Sequence, residues 1–137
     1  GIDFSDYLKA LIPDLLMLYD VGNRVHVDIE ETATQLGIDT AIPCGLIVNE
    51  LVANCLKHAF PNQRRGRISI SLRMRASRLL ELSVVDDGVG FCPGRNWREG
   101  KTLGLLLVSD LVDQLSGEVT LESDCGGTEF RAVFPAV

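Results

Sequence analysis

The stretch "NELVANCLKHAF", residues 49–60, decides how this chain is read. A helix advances roughly 100° per residue, so relative to Glu50 the side chains of Asn54, Lys57 and His58 fall at about 40°, −20° and 80°. The four polar groups share one arc about 100° wide. Val48, Leu51, Val52, Cys55 and Leu56 take the other side, where a core would lie. A solvated face is the ordinary explanation of a polar arc, but such faces are usually mixtures of Lys and Glu. Here a carboxylate, a carboxamide, an ammonium and an imidazole occupy two turns. Together they can accept a proton, ligate a hard cation and neutralise a phosphate. Mg²⁺ takes oxygen ligands, and an Asn carbonyl beside phosphate oxygens suits it. That chemistry fits a nucleoside triphosphate better than it fits zinc or a glycoside.

Outward from this stretch the elements are legible. The helix runs over 39–60, with Asp39 or Thr40 as cap and Pro43 tolerated in its first turn. "PNQRRG" (61–66) ends it. "RISISLRMR" (67–75) alternates apolar and polar residues, "LLELSVVD" (79–86) is more continuously apolar, and the three residues between them predict a hairpin. Upstream, 4–19 is an amphipathic helix capped by Asp3 or Ser5, in which Pro13 allows a kink or a break. "RVHVDIE" (24–30) alternates as a half-buried strand, with His26 on its polar face and without a chemical role. Downstream, "LGLLLVSDLVDQLSG" (103–117) is helical with Gly117 as C-cap, and "EVTLESD" and "TEFRAVF" close a second hairpin. The pattern is one domain over 1–137, with three helical segments and a mixed, largely antiparallel sheet.

"SVVDDGVGFCPG" (83–94) stays open on this reading. Asp-Gly is a common turn connector, because glycine accepts positive φ and Asp bonds its own backbone. It also suits a ligand loop, where missing side chains admit a ligand to the backbone and one carboxylate reads it. Residues 88–102, with four glycines, one proline and no periodicity, read as a loop.

Composition narrows the function classes. The formal charge of −6 lacks the basic footprint of a nucleic-acid or anionic-membrane surface, and Arg64, Arg65 and Arg67 read as a solvated turn. No apolar run approaches the ~18 residues of a membrane span, and nothing resembles a signal peptide. The four cysteines, Cys44, Cys55, Cys92 and Cys125, contain no CxxC pair, which argues against zinc and for a reduced, cytosolic setting.

"NELVANCLKHAF", "DDGVG", "TLGLLLV" and "GGTEF", in that order, resemble the ATP-binding domain shared by sensor histidine kinases, Hsp90-type chaperones, type II topoisomerases and mismatch-repair ATPases. "AIPCGLIVNELVANCLKHAFP" (41–61) looks most like one subgroup of sensor histidine kinases. The resemblance covers nearly the whole chain, and four ordered motifs are far more specific than one. It implies an α+β two-layer sandwich of the Bergerat type. By the same resemblance Asn54 is the Mg²⁺ ligand, Glu50 the catalytic acid/base residue, Lys57 a phosphate contact and His58 a flank of the nucleotide. Asp86 would accept from the adenine amino group, with Gly88 and Gly90 closing backbone over the base. Gly104 and Leu105 would present helix-start N–H groups to phosphate, and Gly127 and Thr128 match the family's third glycine motif, with Thr128 near the adenine.

Thr102 belongs to the expected binding set, yet in "GKTLGL" it stands where the family often has glycine, which implies an altered triphosphate grip. Trp97 is expected in a lid over the triphosphate. Neither His26 nor His58 sits in a phosphoacceptor motif. The expectation is therefore the catalytic part of a larger kinase, with Gly1 a cloning scar, acting with Mg²⁺ and ATP on a histidine of a separate dimerisation helix. A receiver domain of a response regulator would follow, with no nucleic acid and no direct membrane contact by this domain. A serine kinase of the anti-sigma-factor type, or a module that binds ATP and transfers nothing, are the alternatives.

Overall fold

The alternating stretch 67–75 and the more apolar stretch 79–86 become two antiparallel strands. A computed structural model describes residues 1–32, 34–89, 103–124 and 126–136. Strands β1 (Ile2–Asp3), β2 (Val25–Ile29), β3 (Gln35–Leu36), β4 (Gly66–Arg75), β5 (Leu79–Asp86), β6 (Glu118–Asp124) and β7 (Gly127–Pro135) are interspersed with helices α1 (Phe4–Leu18), α2 (Ile38–Asn54) and α3 (Leu103–Gln114). The main sheet has the order β2-β4-β5-β7-β6. Only the β2–β4 pairing is parallel.

Period-two alternation gives this sheet two unlike faces. Ile68, Ile70 and Leu72 of β4, Leu80, Leu82 and Val84 of β5, and Phe130, Ala132 and Phe134 of β7 are buried in one core with Leu8 and Ile12 of α1, Ile47, Val48 and Val52 of α2, and Val108 and Val112 of α3. The helices therefore cover one face, as a two-layer α+β sandwich requires. The other face carries Ser69, Ser71 and Ser83 and a lattice of ion pairs, Arg73 with Glu30, and Glu81 with Arg75 and Arg131. β6 is an edge strand, and its outward residues Glu118, Thr120, Glu122 and Asp124 are exposed.

Local expectations are met with shifts. α1 is capped by Asp3, whose carboxylate accepts from Asp6 N–H at 3.1 Å. The helix runs unbroken through Pro13, an exposed position where water can serve the carbonyl of Lys9. α2 starts earlier than Asp39 or Thr40 would place it. Its N-cap is Gly37, without a side-chain cap bond, so Pro43 lies in the second turn. β1 and β3, two residues each, pair antiparallel and hold the chain where α1 and α2 begin; nothing in their composition announces them. At the end of α3 the left-handed residue is Ser116 (φ 58°), not Gly117; the Gly117 N–H reaches Val112 O at 3.0 Å and Ser116 N–H reaches Asp113 O at 3.0 Å.

The largest departure is at residues 55–60. The long helix does not continue as α: Cys55–Ala59 form a π-turn, with i→i+5 bonding in place of i→i+4. The 3.6-residue wheel holds from Glu50 to Asn54 and fails beyond, so Lys57 and His58 sit on a wider turn than the sequence pattern assumes.

Candidate functional site

Along β5 every second residue faces the core: Leu80, Leu82, Val84 and then Asp86. The last rung of an apolar row is thus a carboxylate, only 7% exposed. Its cross-strand partners are Ile68 on β4 and Thr128 on β7. Thr128 is paired in turn with Ser123 on β6, and the two hydroxyls lie 2.8 Å apart. One end of the sheet therefore presents a polar row, Asp86, Thr128 and Ser123, on its helix-covered side.

Asp86 is held from two directions. Its Oδ1 accepts the Gly88 N–H at 2.9 Å, and its Oδ2 accepts from Cys55 Sγ at 3.3 Å. Burial pushes the Asp86 carboxyl above the ordinary carboxylate range. Bonds from the Gly88 backbone, the Cys55 thiol and the Thr128 backbone pull it back, while the neighbouring Asp87 charge adds to the rise. Burial, then the Asp86 charge and the hydrogen bond to it, push the Cys55 thiol well above its usual value, so it is an S–H donor. Asp87 turns away and accepts the Arg67 N–H at 2.8 Å, which anchors the strand exit.

Glycine is required at two places here. A Cβ on Gly88 would lie 2.4 Å from Ala59 O, because the β5 exit and the π-turn touch; the Val89 N–H donates to that same carbonyl at 2.9 Å. A Cβ on Gly127, at φ 146°, would lie 2.2 Å from Asp86 O. Backbone thus packs closely against the β5 exit at Gly88 and against Asp86 at Gly127.

α2 supplies the second wall. Glu50 and Asn54 are partly buried and one turn apart, as the sequence spacing predicted. The Asn54 Nδ2 is buried without a hydrogen-bond partner among the described residues. Lys57 and His58 are exposed on the π-turn, and the Lys57 ammonium lies over the Tyr19 ring, 5.7 Å from its centroid. Gly104 and Leu105 fall in the first turn of α3, as expected. Gly90, Thr102 and Trp97 lie outside the described residues.

These features coincide with a known family. A model of the histidine kinase-, DNA gyrase B- and HSP90-like ATPases matches residues 39–137. The chain belongs to this ATPase family. Blue-light-activated histidine kinase 2 of Erythrobacter litoralis is 28% identical over 109 residues, covering 80% of this chain and 32% of that protein. Sensor histidine kinase PdtaS of Mycobacterium tuberculosis is 27% identical over 120 residues, covering 86% of this chain and 24% of that protein. The chain thus spans a third or less of these two curated relatives. Among solved structures, the histidine kinase domain of an Erythrobacter litoralis blue-light-activated histidine kinase aligns with a TM-score of 0.87 at 25% identity, over 98% of this chain and 66% of that one. The mycobacterial sensor histidine kinase MprB aligns at 0.76 over 98% of this chain and 95% of that one; at 19% identity it bears on fold alone.

In this ATPase domain the described residues contain no group of three or more His, Cys, Asp or Glu side chains able to hold a metal by themselves. Asn54 instead offers one hard oxygen and one unused, buried donor. That donor set fits a Mg²⁺ ion held mainly by nucleotide phosphates, with one protein ligand. None of the described helices is long and apolar enough to cross a membrane. Sequence reasoning missed Cys55, which it assigned to the core side, and Ser123. The signal for Ser123 was its place in the Val119, Leu121, Ser123 row, one strand from Thr128. Cys55 had none, since its contact with Asp86 spans 31 residues of sequence.

Proposed function

We propose that this domain binds Mg²⁺–ATP at the Asp86 end of the sheet and donates the γ-phosphoryl to a histidine on a separate dimerisation helix, within a cytoplasmic two-component relay. The observation that carries this is Asp86, a carboxylate in the core register of β5, buried and fixed by Gly88 and Cys55. An acceptor so placed suits a planar base bearing an amino group, and the adenine amino group supplies it. Glycine at 88 and 127 lets the backbone pack closely around the Asp86 end of the sheet, since a Cβ there would meet Ala59 O or Asp86 O.

Asn54 would hold Mg²⁺ through its carbonyl and donate to a phosphate oxygen through Nδ2. The ion would supply charge neutralisation on the phosphates. Lys57, exposed and flexible, can leave Tyr19 for a phosphate, and the first-turn N–H groups of Gly104 and Leu105 suit an anion. Glu50, one turn from Asn54, is placed to orient the acceptor imidazole and take its proton. Catalysis here is positioning and charge stabilisation. The phosphohistidine would then serve a receiver domain of a response regulator.

The test is labelled ATP with the chain alone and with a histidine-bearing dimerisation helix added in trans. Acid-labile, base-stable label on the helix, and none on the chain alone, is expected. Label on serine of an added protein, or robust labelling of the chain itself, would overturn the histidine assignment.

A further inference from the structure

We propose that Cys55 is a positioning residue that sets base specificity: its S–H fixes the Asp86 carboxylate so that the free lone pairs face the adenine amino group. This rests on the reading of Asp86 as the base acceptor. A carboxylate offers about four lone-pair sites on two oxygens and turns about its terminal torsion unless both oxygens are held. The Gly88 N–H holds Oδ1 from the strand exit, and Cys55 holds Oδ2 from the first residue of the π-turn. These donors come from different elements, so together they fix the plane of the carboxylate. Without the thiol, Oδ2 loses that donor and the carboxylate keeps only the Gly88 and Thr128 backbone bonds.

The position of Cys55 gives the contact a second consequence. It follows Asn54 directly, so one backbone step joins the phosphate end of the site to the group that reads the base. The thiol works here as a donor, its Sγ 3.3 Å from Asp86 Oδ2. A buried carboxylate that has lost a donor is freer to rotate and to keep a proton. In either state it tolerates a carbonyl at position 6 of a purine, which a fixed, ionised acceptor repels.

The experiment is calorimetric titration of the full chain with ADP and with IDP, which differ in the group at position 6. The unmodified protein should prefer ADP. Cys55→Ala, and Cys55→Val as a variant without the donor that keeps more of the volume, should shrink the ADP-to-IDP ratio by about three- to tenfold, a modest value because sulfur is a weak donor. IDP affinity should change little, and Cys55→Ser, which restores a donor, should keep the ratio. A thermal melt of each variant confirms the fold. An ADP preference that survives in the Ala and Val variants, or that Ser fails to rescue, overturns the role of Cys55 alone. No preference in the unmodified protein overturns the Asp86 reading and this inference with it.

Discussion

Asp86→Asn should make the empty domain more stable and the ligand weaker. The carboxyl is buried and its pKa is raised in the fold, chiefly by burial. A carboxyl with a raised folded pKa favours the native state only while it is protonated. That contribution is complete below the ordinary value of 3.8 and is lost as pH rises through the raised value. At neutral pH the ionised Asp86 therefore costs stability, partly offset by the donors from Gly88 and Cys55. An amide carbonyl can still accept the Gly88 N–H and carries no charge to bury. The melting temperature of the Asn variant should exceed that of the unmodified protein at pH 7 and converge with it near pH 4. Each 1 kcal/mol gained corresponds to roughly 3–6 °C for a domain of this size. Binding should move the other way. Loss of a charged hydrogen-bond partner costs about 1.5–3 kcal/mol, or about ten- to a hundredfold in Kd for ATP. GTP, whose position-6 oxygen faces an N–H in the variant, should lose less, so the preference for ATP should narrow. The assays are calorimetric melting across pH 4–8 and titration with both nucleotides. An Asn variant that melts lower at pH 7, or that retains the full preference for ATP, would refute the account of Asp86 as a strained base reader.

Asn54→Ala should abolish the Mg²⁺-dependent tightening of ATP binding while barely lowering the melting temperature, since it removes a buried donor that has no partner; titration with and without magnesium measures it. Gly88→Ala should destabilise by about 1–3 kcal/mol in a denaturant titration, because the new Cβ must push the β5 exit away from Ala59 O. Glu50→Ala should lower the rate of transfer to an added dimerisation helix far more than it lowers ATP affinity, and equal losses in both would remove Glu50 from the chemistry.

The legible parts of this molecule are those governed by local period. Alternation in 67–75, the apolar run of 79–86 and the three residues between them predicted both strands and their hairpin. Leu80, Leu82 and Val84 fix the parity that puts Asp86 inside, although the reading of "DDGVG" as turn or ligand loop needed the other motifs. Glu50 and Asn54 were correctly placed on one helix face because α geometry persists to Asn54. What failed depends on distant partners. The π-turn at Cys55–Ala59 meets the β5 exit through the Gly88 contact with Ala59, and nothing within "CLKHA" encodes it. The cap at Gly37 and the two-residue strands exist because Ile2 finds Leu36 across the chain. Ser116 takes the left-handed seat expected of Gly117 while the adjacent backbone closes the helix.

The acidic edge strand has a consequence for handling. β6 ends the sheet with an unpaired row of backbone donors and acceptors, the kind of border to which another chain can add. No proline occurs in β6, so charge is its visible guard: Glu118, Glu122 and Asp124 line one side. Such protection weakens in concentrated salt and near the isoelectric point of about 4.8, where net repulsion between molecules vanishes. Self-association under those conditions should begin at this border, and a lysine at Thr120 would supply a guard of opposite sign that persists in acid.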